Sequence, residues 1–205
     1  MADVLDMPLA GSLADPPALP HRRLLLLSRI LSYLFAAILA LEVLQALAGT
    51  VLGLFFGGHV LMGANGMNIA FGHGGMLPGL APGQVRLSDL PLVTQLTFAF
   101  GWPILFAPML MLFDNLRRLF ALYGRGIVFS AENATHISRI GIALIAYPFV
   151  NYFCDFVFWL AGGADRASWV HMDHIQAFIL GLIVVAIAQV MSFGREIEQE
   201  RDSFV

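Results

Sequence analysis

The chain has 205 residues, of which 59% are hydrophobic and 12% are charged. A soluble domain carries roughly 25% charged residues, so this composition excludes a water-soluble protein and predicts an integral membrane protein. The formal net charge of −3 and the absence of lysine argue against direct nucleic-acid binding. The single cysteine, Cys154, excludes both an internal disulfide and a metal centre built on cysteines.

The first 23 residues are rich in proline and acidic side chains and show no helical periodicity. This composition predicts a disordered tail over residues 1–23. His21, Arg22 and Arg23 close the segment, and a long apolar run follows. Because the run far exceeds the roughly 7–15 residues of a signal-peptide core, we expect a membrane helix that is retained.

Four windows are long and apolar enough to cross a bilayer, which needs about 20 apolar residues. In lipid the backbone must satisfy its own hydrogen bonds, so each window predicts a helix. The predicted fold class is all-α: an integral membrane four-helix bundle over residues 24–194, with a helical hairpin extension between the second and third helices. The helices are expected at 27–56, 91–113, 140–160 and 174–193.

The arginines are distributed unevenly between the two sides of this layout. An excess of arginine marks the cytoplasmic side of a membrane protein. The distribution therefore predicts that both termini are cytoplasmic. Nine arginines fall on the cytoplasmic side (Arg22, Arg23, Arg29, Arg117, Arg118, Arg125, Arg139, Arg195 and Arg201), and two fall outside (Arg86 and Arg166).

The segment 57–90 is rich in glycine, which disfavours a regular helix. We expect it to lie over the outer end of the bundle. A strip of small residues, Gly49, Gly53 and Gly57, precedes it on the first helix, and such strips let helices approach closely. The strip predicts packing inside the bundle, with dimerisation as the alternative.

The stretch FSAENATHISRIG, residues 129–141, begins a helix in a polar gap. Ser130 is a natural N-cap, and Glu132 in the first turn suits the positive end of the helix dipole. The preceding helical spacing continues to Tyr123, and Gly124 and Gly126 suit a left-handed helix end. A helix from Ala131 to Leu160 would be about 45 Å long, which exceeds a hydrocarbon core of about 30 Å. The surplus is expected to project into the cytoplasm.

The last 11 residues, 195–205, continue the fourth helix as a charged cytoplasmic tail. The tail and the hairpin together form a candidate surface for a partner, and a solvated end is the alternative. The predicted partner-binding residues are Arg117, Arg118, Glu132, Asn133, Glu196, Glu200 and Asp202.

The segments Leu116–Phe120, Phe129–Asn133 and Ile140-Gly141, together with the ending from Gly194, resemble one family over about residues 24–205. It is the bacterial four-helix membrane family catalogued as domain of unknown function 2975. The resemblance implies no reaction. Members are often encoded beside a small helix-turn-helix regulator, which implies a cytoplasmic DNA-binding partner.

Polar side chains inside membrane helices are costly, and they serve as functional hypotheses by default. Glu42 and Gln45 lie in the first helix, and Asn151 and Asp155 lie four residues apart in the third. Two acids without a basic partner at the same depth predict an intramembrane polar pocket for a proton or cation. The alternative is a set of hydrogen bonds that holds the helices together.

His171 and His174 flank an aspartate at the predicted outer face of the fourth helix. Two imidazoles at this spacing suit zinc or copper, and histidines from two loops suit haem. The pattern lacks the cysteines or the HExxH signature that would make a metal motif specific. We expect no cofactor, with these metals as the alternative.

We therefore predict a non-enzymatic membrane signalling or regulatory protein of the bacterial cytoplasmic membrane. It would hold a small helix-turn-helix partner on its cytoplasmic side. The first alternative is a small proton- or cation-coupled transporter or channel using Glu42 and Asp155. A third hypothesis is a metal- or haem-binding membrane component, and a homo-oligomer is compatible with all three.

Overall fold

The computed structural model describes residues 19–63, 66–69, 79–127, 130–163 and 172–203. Four of its helices are long and apolar enough to span a membrane, which confirms the predicted set of four. The helices are α1 (Leu19–Phe55), α2 (Leu92–Tyr123), α3 (Ala131–Leu160) and α4 (Met172–Ser203).

The helix ends agree with the sequence at the hairpin and differ from it at the N-terminus. The end of α2 and the start of α3 fall where the capping residues predict them. By contrast, α1 begins at Leu19, inside the segment 1–23 that was predicted to be disordered. Pro20 is no obstacle there, because the first turn of a helix needs no backbone N–H from it. Residues 1–18 lie outside the described part of the chain.

The helices pack in chain order: α1 against α2, α2 against α3 and α3 against α4. Among the described residues, α1 and α4 make little contact with each other. A closed four-helix bundle would bring these two helices together. The predicted bundle is therefore corrected to an open row of four antiparallel neighbours.

The small residues of α1 set its distance from α2. A Cβ added to Gly49 would overlap the indole of Trp102, and one added to Gly53 would lie 2.8 Å from Cδ1 of Phe98. The indole N–H of Trp102 donates to the carbonyl oxygen of Gln45 at 3.2 Å. Gly49 and Gly53 therefore pack against α2, as the sequence predicted, whereas Gly57 lies beyond the end of α1 and faces Ser88.

A second close approach joins α3 to α4. A Cβ on Gly141 would lie 2.9 Å from the carbonyl oxygen of Gly181, and one on Gly181 would lie 2.8 Å from that of Gly141. The two backbones touch here, with no space for a side chain on either glycine. Gly181 had no assigned role in the sequence, because its partner is more than one helix length away along the chain.

The glycine-rich segment contains a small sheet that the sequence did not predict. Strands β1 (Val60–Gly63), β2 (Gly66–Ile69) and β3 (Val85–Arg86) are antiparallel in the order β2-β1-β3. Val60 and Leu87 are almost fully buried against the ends of the helices. The segment therefore lies over one end of the row, as expected, and packs there against Leu52, Phe98, Trp102 and Phe158.

We predict that Gly141→Ala lowers the free energy of unfolding by about 1–3 kcal/mol, because the new methyl group meets backbone that cannot move aside. Its Cβ would lie 2.6 Å from Cγ2 of Val185 and 2.9 Å from the backbone of Val185 and Gly181. The measurement is thermal unfolding in detergent, followed by tryptophan fluorescence.

Gly101→Ala is the matched control, since nothing lies within 4 Å of a Cβ at this helical position. It should leave the melting temperature unchanged or raise it slightly, because alanine is the better helix former. Equal melting temperatures for the two variants would show that the crossing of α3 and α4 is not as tight as described.

Candidate functional site

The C-terminal end of α2 is closed by two backbone hydrogen bonds that require a residue in the left-handed conformation. The N–H of Ile127 donates to Leu122 at 3.1 Å, and that of Gly126 donates to Tyr123 at 3.0 Å. Gly126 has a φ of 81°, a conformation that suits glycine. These two hydrogen bonds together form the Schellman motif that ends a helix. Gly124, predicted as a second left-handed residue, is instead right-handed helical.

The start of α3 is fixed by a cap and by one buried amide. Ser130 Oγ accepts a hydrogen bond from the Asn133 backbone N–H at 3.1 Å, which confirms the predicted N-cap. The side-chain amide of Asn133 donates to the carbonyl oxygen of Ile127 at 2.9 Å. Asn133 is fully buried, so it ties the turn to the first turn of α3.

A polar pair links α2 and α3 just beyond the turn. Asn115 is 5% exposed and His136 is 5% exposed, and Asn115 Oδ1 lies 2.9 Å from His136 Nδ1. The Asn115 amide nitrogen donates to the carbonyl oxygen of Met111 at 2.7 Å. The Oδ1 atom is therefore the acceptor that faces the imidazole, and His136 Nδ1 carries the proton. Buried hydrogen bonds of this kind fix one register between two helices.

Asp114 forms ion pairs with two arginines near the C-terminal end of α2. Its carboxylate lies 2.9 Å from Nη2 of Arg117 and 2.7 Å from Nε of Arg118. All three side chains remain partly exposed, so these pairs add little stability. They bring two of the predicted partner-binding arginines together at one carboxylate.

Apolar packing fills the space between the helices around these polar groups. Leu112 and Leu119 of α2 meet Ile140 and Ala143 of α3 in one buried cluster. From the other side, Ser32 Oγ of α1 donates to the carbonyl oxygen of Arg117 at 3.1 Å. Phe35 of α1 stacks on Phe113 and Phe120. The α2–α3 hairpin is therefore braced by α1.

The predicted partner-binding residues fall into three groups. Glu132 is exposed and lies 3.9 Å from the imidazole of His136, while Arg117 and Arg118 are held by Asp114. Asn133 is corrected from a surface residue to a buried one, because its amide is used inside the turn. Glu196, Glu200 and Asp202 lie on the last turns of α4, and their side chains are outside the described part of the structure.

The predicted intramembrane pocket is spread over two helices that do not face each other. Glu42 is half-buried and Gln45 is exposed on α1, while Asn151 and Asp155 are half-buried on α3. The amide of Asn151 donates within its own helix, to the carbonyl oxygen of Tyr147 at 2.8 Å. Among the described residues, α1 and α3 each pack on α2 and contact each other little. The pocket stays a prediction.

The two candidate metal-binding histidines are placed differently. His174 is buried between α3 and α4, edge-on to Tyr147 at 5.4 Å and to Tyr152 at 5.1 Å. His171 lies outside the described residues. Within the described ranges, no three histidine, cysteine, aspartate or glutamate side chains are grouped for a metal ion. Binding of zinc, copper or haem stays a prediction.

Sequence reasoning assigned no role to Asn115 or His136, although a signal was present. Asn115 lies between Leu112 and Leu119 at helical spacing, and His136 lies one turn before Ile140. Both polar residues therefore stand on the apolar stripe of their helix, which predicts burial. The periodicity of each helix alone does not show that the apolar stripes of α2 and α3 face each other.

Comparison with known proteins finds one family. The family model described as protein of unknown function (DUF2975) matches residues 21–205. No curated protein and no solved structure is significantly similar to the chain. The match covers all four helices and the hairpin site.

We predict that Asn133→Ala lowers the free energy of unfolding by about 1–3 kcal/mol, because it removes a buried donor and leaves the Ile127 carbonyl without it. For a chain of this size, this corresponds to a drop of about 2–12 °C in the melting temperature. Thermal unfolding in detergent measures it.

The neighbouring Glu132→Ala provides the control, since the exposed carboxylate contributes within about 0.5 kcal/mol. A melting temperature that falls equally for both variants, or for neither, would contradict the structural role given to Asn133.

Proposed function

Since the chain belongs to the DUF2975 family of unknown function, we propose that it is a non-enzymatic membrane signalling or regulatory protein. It holds a soluble partner on the surface formed by the α2–α3 hairpin and the last turns of α4. The observation that carries this proposal concerns the α2–α3 hairpin. Its two helices are longer than the lipid core is thick, and their ends at the turn are polar and joined to each other by hydrogen bonds.

Length and polarity together support an extension at the hairpin end. At 1.5 Å per residue, α2 is about 48 Å long and α3 about 45 Å, against a hydrocarbon core of about 30 Å. Leu92 and Val93, at the other end of α2, are exposed and apolar. Asp114, Arg117 and Arg118 all lie in the last ten residues of α2. The surplus of about 15 Å therefore leaves the hydrocarbon at the hairpin.

The rigidity of this end favours binding. The Schellman motif, the Ser130 cap and the Asn115–His136 pair fix the end of α2 and the start of α3 relative to each other. A surface that is ordered before binding loses less conformational entropy when a partner docks. Arg118, Glu132 and Arg139 are exposed on it and present both charge signs, which suits a soluble protein partner.

The side of the membrane and the kind of partner rest on two further arguments. Nine arginines against two favour a cytoplasmic hairpin with both termini inside. The family resemblance favours the bacterial cytoplasmic membrane and a small helix-turn-helix regulator as the partner. In this arrangement the membrane protein would withhold or release a DNA-binding protein without contacting nucleic acid itself.

The direct test is co-expression of the tagged chain with the helix-turn-helix regulator that the resemblance predicts beside its gene. We expect stoichiometric co-purification in detergent. Glu132→Arg, or removal of residues 195–205, should reduce the captured regulator about tenfold, because reversing one charge at a docked surface costs more than about 1.4 kcal/mol.

Asp89→Arg reverses the same charge at the opposite end of the row and should capture the regulator as the parent does. The proposal fails if the parent chain captures no regulator, or if Asp89→Arg reduces capture as strongly as Glu132→Arg.

A further inference from the structure

The two edges of the open row each carry an exposed side-chain amide. Gln45 of α1 and Gln176 of α4 are both exposed, and in the described part of the chain neither amide makes a hydrogen bond. Asp173, three residues before Gln176, is exposed as well and adds an acceptor on the same side of α4. Each edge therefore holds an amide that the described residues of the same copy do not pair.

Contacts from α1 to α3 define a common level in the row. The backbone of Gly49 packs on the indole of Trp102, since a Cβ there would overlap the ring. The carbonyl oxygen of Gly101, the residue before Trp102, lies 3.9 Å from Sγ of Cys154. Gly49 and Cys154 are therefore at about the same level. Gln45 is four residues before Gly49, so it lies about 6 Å closer to the hairpin end.

Contacts from α3 to α4 place Gln176 at nearly the same level. Tyr147 and Tyr152 are both edge-on to His174, with ring centroids 5.4 Å and 5.1 Å away. The two tyrosines precede Cys154 by seven and two residues, so His174 also lies about 6 Å closer to the hairpin end than Cys154. Gln176 follows His174 by two residues, or about 3 Å. The two amides therefore differ in level by less than one helical turn of about 5.4 Å.

This level lies inside the hydrocarbon layer. Gln45 is ten residues from the end of α1 at Phe55 and sixteen residues from Arg29, or about 15 Å and 24 Å along the helix. Acyl chains offer no hydrogen bonds, so an amide exposed to them costs free energy. Side-chain amides that meet across two membrane helices remove this cost and favour association. A helix with an amide at the same depth is therefore a better neighbour for each edge than lipid.

We propose that a second copy of this chain closes the row, with its α4 against α1 and its α1 against α4. Two copies that are inserted in the same direction, and related by a two-fold axis along the membrane normal, make both contacts at once. Gln45 of each copy then meets Gln176 of the other copy at one depth. Each carboxamide both donates and accepts hydrogen bonds, so the two amides bond reciprocally.

The exposed apolar residues beside the amides fit the same contact. Leu41 of α1 and Leu180 of α4 each lie one turn from the amide of their helix, both toward the hairpin end, and they are 53% and 51% exposed. The contact uses one side of each helix, and the other exposed sides still face acyl chains. Because the dimer is held within the lipid core, it does not depend on the proposed soluble partner.

Disulfide cross-linking in native membranes tests which helices meet. Two differently tagged copies are co-expressed with Cys154→Ser, one carrying Leu41→Cys and the other Leu180→Cys. Mild oxidation should link the two tagged copies into a product with twice the mass of the chain. Val190→Cys in place of Leu180→Cys is the control, because Val190 is 71% exposed but lies about 15 Å further along α4. Equal cross-linking to Val190→Cys, or a stronger product between two identical copies, would overturn the pairing of α1 with α4.

The amide pair is tested by the dissociation constant of the dimer in lipid vesicles, measured by energy transfer between labelled copies as added lipid dilutes them. Gln45→Leu and Gln176→Leu should each weaken the dimer about tenfold, or about 1.4 kcal/mol. The double variant should be no weaker than either single variant, because both changes remove the same hydrogen bonds. Gln189→Leu removes an exposed amide from α4 at another level and should leave the dimer unchanged. A monomeric parent, a loss of about a hundredfold in the double variant, or equal weakening by Gln189→Leu would overturn the proposal.

Discussion

The four long helices of this chain reflect the hydrocarbon layer that its backbone must cross. Within about 30 Å of lipid, each N–H and C=O needs a partner from the same segment, so only helices are available here. That requirement explains the four long apolar helices. Polar residues and extra helical turns go beyond this requirement, so they need a separate explanation. The helices α2 and α3 are longer than one crossing of the layer needs, and the proposed extension at their hairpin carries Asp114, Asn115, Arg117 and Arg118.

Contacts between helices that are consecutive in the chain then build the rest of the molecule. Gly49 and Gly53 let α1 lie on α2, and Gly141 and Gly181 let α3 lie on α4. Between these two pairs, α2 and α3 are joined by a continuous apolar cluster and by the buried pair of Asn115 and His136. Because the row is open, α1 and α4 present long apolar faces to lipid. The hairpin at the centre is the part that is braced from both sides.

Local signals made the hairpin predictable. A helix end is decided by a few adjacent residues, so Ser130 and Gly126 marked the turn correctly without tertiary information. Asn133 was misplaced because its burial depends on a carbonyl six residues earlier in the chain. The pairing of Asn115 with His136 depends on which sides of α2 and α3 are in contact. The periodicity of apolar residues in the sequence does not contain that information. The small sheet was missed because its strands lie among glycines, which weaken any strand signal.

The position of the hairpin relative to the membrane is tested most directly by single cysteines labelled from outside intact cells. With Cys154 replaced by serine, Glu132→Cys places a thiol on the hairpin, and Asp89→Cys places one at the opposite end. A membrane-impermeant maleimide should modify the Asp89→Cys variant in intact cells and the Glu132→Cys variant only after permeabilisation. Modification of Glu132→Cys in intact cells would contradict a cytoplasmic hairpin. Protection of both thiols after permeabilisation would contradict a hairpin that stands outside the lipid.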